Sequence, residues 1–153
     1  MSRRHHLYRE QHIPRSVEEI FEFFSAVENL EAITPDYLRF RVITPTPLEL
    51  RAGALIDYRL QLFRVPFTWR TRIESWDPPH RFVDTQLRGP YSYFHHTHRF
   101  EAVDGGTRMT DSLYYELPLG PLGSLAHALF VRRSLDDIFD YRGRRIAERY
   151  PPV

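Results

Sequence analysis

Two histidines and two aspartates are spaced so that two consecutive β-hairpins would bring them together. If residues 89–91 form the loop between strands 81–88 and 92–103, Asp84 falls opposite His96. Residues directly opposite one another on antiparallel strands lie within contact range. The first hairpin therefore predicts a contact between Asp84 and His96.

The second hairpin predicts a contact between His98 and Asp111. Asp104-Gly105 is typical of a two-residue turn, and that turn places His98 opposite Asp111. Alternation puts both pairs on the face that carries the apolar residues Phe82, Phe94, Phe100, Met109 and Leu113. That face should be the inner one, and a one-residue slip of register would turn a whole strand to the other face.

Three interpretations of these inward aspartates and histidines are open. In the first, the groups only satisfy one another, because an unpaired buried carboxylate is very costly. In the second, they line a pocket and hydrogen-bond the polar end of a ligand. In the third, a histidine oriented by an aspartate is a general base on a carbonyl substrate, as a cyclase or dehydratase requires. Asp84, His96, His98 and Asp111 are thus candidates for catalysis, without an assigned role.

The same histidines also have a spacing that suits a metal ion. His96 and His98 share one strand face, and Asp84 or Asp111 would complete a set of two histidines and one carboxylate. Histidines on strands are more often structural than ligating, so the sequence favours no metal and no cofactor. The chain also lacks cysteine and lysine, which excludes zinc–thiolate sites and Schiff-base chemistry.

The elements that must position these residues follow from hydrophobic periodicity. Residues 5–13 read as a first strand, Ser16 as the N-cap of a short helix, and 27–33 as a second short helix. About six strands follow between residues 40 and 117, and a long helix covers about 122–149. Gly143 is expected to weaken that helix near its end.

This order predicts an α+β fold in which a curved antiparallel sheet of about seven strands wraps the long C-terminal helix. A wide sheet and one helix leave a gap between them, and we expect a cavity of more than about 300 Å³ there. The residues expected to line it are Tyr58, Trp69, Phe82, Asp84, Phe94, His96, His98, Asp111, Tyr115 and Phe139. For Tyr58, Trp69 and Tyr115, plain core packing is the alternative. Arg142 either pairs with an inner carboxylate such as Asp111 or is a solvated cation near the end of the helix.

The order of elements resembles the START/Bet v 1-like superfamily, also called SRPBCC, with its helix-grip fold. Four strings resemble a bacterial branch of that superfamily: Asn29-Leu30-Glu31-Ala32-Ile33-Thr34-Pro35, Gly89-Pro90-Tyr91, His96-Thr97-His98-Arg99-Phe100 and Phe139-Asp140-Tyr141-Arg142. Residues 13–21 also resemble the family's passage from strand to helix. The resemblance implies a binding cavity rather than a reaction, since relatives include lipid carriers, plant-hormone receptors and polyketide cyclases.

Bulk composition limits the remaining choices. The chain has 153 residues, which fits one domain over 1–153, and a formal net charge of +1, which argues against a nucleic-acid surface. Residues 1–12 are polar, and no stretch is apolar enough to span a membrane, so we expect a cytoplasmic protein.

The leading hypothesis is a protein that binds a small hydrophobic molecule of lipid, polyketide-like or aromatic type. One alternative is a cofactor-independent cyclase or dehydratase that uses an Asp–His general base. The other is a regulatory or carrier protein that acts through a homodimer or a partner enzyme. For that last alternative, an exposed apolar patch around residues 119–129 is the candidate surface. The segment 117–125 is apolar and Gly/Pro-rich, and it either packs down or forms a pocket lid or a membrane-touching edge.

Overall fold

A single antiparallel sheet organises the chain, of which the computed structural model describes residues 3–153. Met1 and Ser2, part of the polar N-terminal stretch, lie outside the described residues. The strand order across the sheet is β1-β7-β6-β5-β4-β3-β2. The strands are β1 Arg4–Ile13, β2 Arg41–Val42, β3 Leu55–Leu62, β4 Val65–Asp77, β5 Arg81–Arg88, β6 Tyr93–Val103 and β7 Gly106–Glu116. The expected count of about seven strands is confirmed.

Two short helices follow β1, as predicted. Helix α1 spans Val17–Ser25, and the Ser16 side chain caps it by accepting a hydrogen bond from the Glu19 amide at 3.2 Å. Helix α2 spans only Asn29–Ala32, which is shorter than the predicted 27–33. Extended backbone at Ala26 interrupts the helical path, so the second helix begins late. A 3-10 turn, Asp36–Leu38, completes this connection.

The long C-terminal helix is present but irregular. It consists of α3 Gly120–Ala126, a π-helical turn His127–Val131 and α4 Arg132–Arg149. The expectation that Gly143 weakens the helix near its end is not visible in the backbone, because α4 continues to Arg149. The Gly143 carbonyl accepts a hydrogen bond from Gln11 Nε2 at 2.9 Å, which ties this turn to β1.

Helix α1 packs beneath the sheet and fills one half of the interior, which we call the filled half. Its phenylalanines pack with residues from β5, β6, β7 and α4 in a cluster of Ile13, Val17, Ile20, Phe21, Phe23, Phe24, Ile33, Phe82, Phe100, Met109 and Ile146. A register shift in β4 between Ile73 and Ser75 turns Trp76 towards this cluster, and Trp76 lies 5.0 Å from Phe21 between ring centroids. The other half, between β3–β6 and the middle of α4, contains the site.

Candidate functional site

The hairpin registers predicted from the sequence are confirmed. Asp84 on β5 is the backbone partner of His96 on β6, and His98 is the partner of Asp111 on β7. All four side chains point inward. His96, His98 and Asp111 are buried, and 17% of the Asp84 side chain is exposed.

Of the two predicted side-chain contacts, Asp111–His98 is present, with 3.4 Å between Oδ1 and Nδ1, but the shortest contacts follow a crossed pattern. His98 Nε2 lies 2.6 Å from Asp84 Oδ2, and His96 Nε2 lies 2.9 Å from Asp111 Oδ1. Diagonal neighbours on adjacent strands are within reach of side chains of this length. The two imidazole rings lie against each other with centroids 3.7 Å apart, and each reaches a carboxylate two residues along the neighbouring strand from its backbone partner.

Helix α4 adds a cation to this group. Arg142 Nη2 lies 3.6 Å from Asp111 Oδ1, and only 12% of the arginine side chain is exposed. Its guanidinium lies 5.1 Å from the ring centre of Phe24 and 5.7 Å from that of Phe139. Of the two alternatives for Arg142, the ion pair with the inner carboxylate is therefore the one that the structure shows. We call the five residues Asp84, His96, His98, Asp111 and Arg142 the polar cluster.

Both carboxylates of the polar cluster are held ionised. Burial alone would raise the pKa of Asp111, but the charge of Arg142 and the contacts with His96 and His98 outweigh it, so the pKa lies well below its usual range. Burial likewise opposes ionisation of Asp84, yet the His98 hydrogen bond and the nearby positive charges lower its pKa.

The pKa values of the two histidines are shifted in opposite directions. Burial favours the neutral form of His98, but its contacts with Asp111 and Asp84 dominate and raise its pKa. Burial and the neighbouring His98 charge together lower the pKa of His96. The two shifts therefore favour a proton on His98 over a proton on His96. With His98 protonated, two carboxylates, one imidazolium and one guanidinium balance one another.

Three nitrogen atoms in the polar cluster are buried without a hydrogen-bond partner among residues 3–153. They are Nε and Nη2 of Arg142 and Nδ1 of His98. His98 Nδ1 lies 3.4 Å from Asp111 Oδ1 but is not aligned to donate to it. Buried donors without a partner are uncommon, and water, an ion or a ligand usually accounts for them.

A cavity of about 220 Å³ lies between the sheet and α4. This is smaller than the expected volume of more than about 300 Å³. The reason is aromatic bulk, since Trp69 meets Phe94 at 4.9 Å between ring centroids and Tyr91 adds a third ring. His98 and Arg142, which carry the unpartnered nitrogens, both line it.

Most of the predicted lining residues contact the cavity: Tyr58, Trp69, Asp84, Phe94, His96, His98 and Phe139. Three do not. Phe82 lies in the filled half and stacks on His98 at 4.0 Å between centroids, and Asp111 lines a separate depression between β1 and α4. Tyr115 lies beneath the π-helical turn, where its hydroxyl lies 2.7 Å from His127 Nε2. Strand alternation identifies the inner face, but both halves of the interior share that face.

Other lining residues were missing from the prediction. Leu135, Ile138, Phe139 and Arg142 lie on α4 at helical spacing. This spacing places them on one face of the helix, so the sequence contains a pattern that predicts a shared lining of the cavity. Tyr91 sits in the loop before β6, where the Gln86 side chain bonds both its amide and its carbonyl at 3.1 and 2.6 Å. No sequence pattern indicates that contact.

A larger depression, of about 650 Å³, lies outside the sheet beside the 3-10 turn. Its lining includes the exposed side chains of Tyr37, Arg39 and Arg41, and it contains none of the polar cluster. Buried titratable groups with perturbed pKa values mark functional sites more often than exposed ones do. We therefore place the candidate site in the smaller inner cavity.

Asp84, His96 and His98 also offer one potential metal-ligand atom each, all within 4.8 Å of one another. A metal there would need a deprotonated His98, whereas its two carboxylates raise its pKa. Without that proton, two carboxylates and one guanidinium leave a net charge of −1, which offsets only half the charge of a divalent ion. The expectation of no metal and no cofactor remains a prediction.

A family model described as polyketide cyclase/dehydrase and lipid transport matches residues 13–139. No helix among residues 3–153 has the length and apolar character needed to cross a bilayer. A search of curated proteins finds no match to the sequence.

Similar folds occur among solved structures. The protein Ms6760 from Mycobacterium smegmatis is 18% identical, with a TM-score of 0.66, and the match covers 92% of this chain and 87% of that one. CV1439 from Chromobacterium violaceum is 12% identical, with a TM-score of 0.72, over 97% and 98% of the two chains. Ara h 8.0201 is 14% identical, with a TM-score of 0.62, over 95% and 99%. At these identities the likeness shows the fold, which is the helix-grip fold predicted from the sequence.

Proposed function

This chain belongs to the polyketide cyclase/dehydrase and lipid transport family, and we propose that it binds a small, single-ring apolar ligand bearing a hydrogen-bond acceptor. Membership of the family and the fold support a ligand-binding role. The class of ligand is our inference from the cavity. The apolar ring would lie among Trp69, Phe94 and Phe139, with the acceptor directed to the polar cluster.

The unpartnered nitrogens of Arg142 and His98 carry this proposal. Nε and Nη2 of Arg142 and Nδ1 of His98 are buried and have no hydrogen-bond acceptor within the described chain. Arg142 and His98 both line the cavity. Arg142 Nη2 and His98 Nδ1 lie 3.6 and 3.4 Å from one oxygen, Asp111 Oδ1, so the two nitrogens belong to the same polar corner of the interior, where we infer that the acceptor of a ligand binds. Since the clustered charges balance when His98 is protonated, a neutral carbonyl oxygen suits this position better than an added anion.

Cavity volume limits the size of the ligand. An apolar protein cavity of about 150 Å³ is large enough for benzene. The 220 Å³ available here therefore admits one ring with a short substituent, and we infer that fused multi-ring polyketides and acyl chains of membrane length are too large to be enclosed. Apolar burial would supply most of the affinity, at about 25 cal/mol per Å².

Two matched probes test the proposal. Acetophenone and ethylbenzene have similar shapes, and only the first has a carbonyl acceptor. We expect both to bind, with acetophenone tighter by about tenfold, which corresponds to about 1.4 kcal/mol and to one hydrogen bond from a charged donor. Titration calorimetry on the full chain measures both affinities.

Two variants locate the binding. Ile138→Phe should fill the cavity and abolish binding of both probes, whereas Leu122→Phe, an equal enlargement on an exposed part of the same helix, should leave binding unchanged. Arg142→Met should remove the preference for acetophenone. Equal affinities for the two probes would refute the acceptor site, and unaltered binding in Ile138→Phe would refute the cavity as the location.

A general-base activity is the second candidate, and one observation favours it. His96 is neutral, lines the cavity and is oriented by Asp111 through Nε2 at 2.9 Å, which leaves Nδ1 as the basic nitrogen. Such a base would take a proton from carbon next to a carbonyl and return it. Exchange of the acetophenone methyl protons for solvent deuterium, followed by NMR, tests this step. Exchange that is catalysed by the protein and lost in His96→Gln supports a reaction, and binding without exchange supports a binding protein.

A further inference from the structure

An exposed apolar surface lies where the start of the C-terminal helix meets the β3–β4 turn. We call it the leucine patch, and it consists of Phe63, Leu119, Leu122, Leu125, Leu129 and Phe130. Each of these side chains is 55–74% exposed. The rings of Phe63 and Phe130 lie 5.9 Å apart and join the two segments into one surface. Segment 117–125 therefore does not pack down onto the protein.

The backbone of the leucine patch is irregular at the points that present these side chains. Phe63, Arg64 and Leu119 have positive φ angles of 50°, 68° and 73°, a region that bulky residues seldom adopt. The π-helical turn His127–Val131 lies between them and α4, and such turns are frequent at functional sites. Three residues with positive φ angles and one π-helical turn thus lie within or beside the leucine patch.

The two chain segments that form the leucine patch carry charge of one sign. No aspartate or glutamate occurs in residues 58–73, which contain the β3–β4 turn, or in residues 117–135, which contain α3 and the π-helical turn. Arg64 and Arg133 are exposed and make no ion pair within residues 3–153. The carboxylate that precedes the second segment, Glu116, is already paired with Arg4 at 2.7 Å. An apolar surface flanked by free arginines results.

We propose that the leucine patch docks on the surface of an anionic phospholipid bilayer. Leucine and phenylalanine side chains would enter the boundary between headgroups and acyl chains, while Arg64 and Arg133 meet lipid phosphates. A second copy of this chain is the less suitable occupant. A twofold interface repeats the same surface on both sides, so it would bring unpaired arginines of the two copies together. This docking does not depend on the ligand proposed for the cavity.

Co-sedimentation with vesicles of defined composition tests the proposal. The full chain is mixed with equimolar phosphatidylglycerol–phosphatidylcholine vesicles and, separately, with pure phosphatidylcholine vesicles. We expect partitioning onto the anionic vesicles to exceed that onto the neutral ones by about tenfold or more. Raising NaCl from about 0.05 to 0.5 M should weaken the binding, because the Debye length shortens.

Paired variants separate the apolar from the electrostatic part. Leu125→Ser/Leu129→Ser and Arg64→Glu/Arg133→Glu should each lower partitioning by about tenfold. The matched controls are Leu55→Ser and Arg51→Glu, which change exposed residues at the opposite end of β3 and should bind like the unmodified chain. All these positions are exposed, so circular dichroism should show unchanged folding.

Three results would overturn the proposal. The first is no binding to either kind of vesicle. The second is equal loss of binding in the Leu55→Ser control, which would show that the leucine patch is not the contact. The third is a stable dimer by analytical ultracentrifugation that Leu125→Ser/Leu129→Ser dissociates, in the absence of vesicle binding, which would identify a second copy as the occupant.

Discussion

The two halves of the interior share one sheet and one covering helix, but they are packed differently. In the filled half, Phe21 of α1 meets Phe82 and Phe100 edge to face, at 5.9 and 5.4 Å between centroids. In the other half, α4 faces β3–β6 across a cavity of about 220 Å³. Helix α1 contributes to the difference, because its phenylalanines fill the space beneath β5–β7, whereas the other core residues pack in two smaller clusters, around Tyr58 and around Tyr115.

The polar cluster stands at the boundary between the halves. His98 stacks on Phe82 of the filled half at 4.0 Å, while His98, His96 and Asp84 also line the cavity. Packing on one side therefore fixes the imidazoles that the other side presents to a ligand. The comparison indicates that stability comes mainly from the filled half, and that the cavity half retains space at the expense of stability.

The strongest test of this comparison is to remove one phenylalanine from each half. Phe100→Ala should lower the free energy of unfolding by about 3–5 kcal/mol, because the ring is almost fully buried among other rings. Phe94→Ala should cost less than half as much, since Phe94 is only partly buried and borders space that is already empty. Urea unfolding followed by circular dichroism measures both. Similar losses for the two variants would show that the halves do not differ in packing.

Turn residues and alternation were sufficient to predict the register around the site. Asp104-Gly105 defined one hairpin and residues 89–91 the other, and with them the backbone neighbours of Asp84 and Asp111. The helix-grip architecture followed from the order of the elements and from the family resemblance. These features depend on local chemistry that is visible in the chain.

What could not be predicted depends on three-dimensional packing. Alternation places Phe82 and Tyr115 on the inner face but does not tell which half of the interior each enters. The crossed hydrogen bonds of His96 and His98 depend on side-chain rotamers, which stacking on Phe82 and the position of Arg142 constrain. The cavity volume depends on how three rings meet, which no single strand encodes.

Removing the cation at the boundary should have the next largest effect. Arg142→Met keeps most of the side-chain length but leaves the buried Asp111 carboxylate with only its two histidine partners, which should cost about 3 kcal/mol at neutral pH. The pKa of Asp111 should rise in this variant. A raised carboxyl pKa means that the folded state takes up a proton more readily. The loss of unfolding free energy caused by Arg142→Met should therefore shrink as the pH falls through that pKa.

The double variant Arg142→Met/Asp111→Asn is the matched control. It removes the carboxylate charge together with that of the arginine, so it should be more stable than Arg142→Met alone. Its stability should also depend less on pH between about 4 and 7. If the double variant is as unstable as the single one, the arginine stabilises through packing on Phe24 and Phe139 and not through the carboxylate.

The smallest expected effect concerns the opposite pKa shifts of the two histidines. The raised pKa of His98 contributes stability that is complete below about pH 6.5 and is lost as the pH rises through its folded pKa. The lowered pKa of His96 acts in the opposite direction. Below about pH 6.5 the histidine is protonated in the unfolded chain but not in the folded chain, so the free energy of unfolding falls as the pH drops. Because the two contributions oppose each other, the net stability should change little near that pH.

Stability measurements report only the sum of the two histidine contributions, so NMR titration of the imidazole rings is needed to separate them. In the unmodified chain, the His98 ring should remain protonated to a higher pH than the His96 ring. His98→Gln removes a positive charge 3.7 Å from the His96 ring centre, so the pKa of His96 should rise in that variant. His80→Gln, an exposed change away from the polar cluster, should leave the His96 titration where it was. An unchanged His96 titration in His98→Gln would mean that burial alone sets its charge, and that the polar cluster does not titrate as a coupled unit.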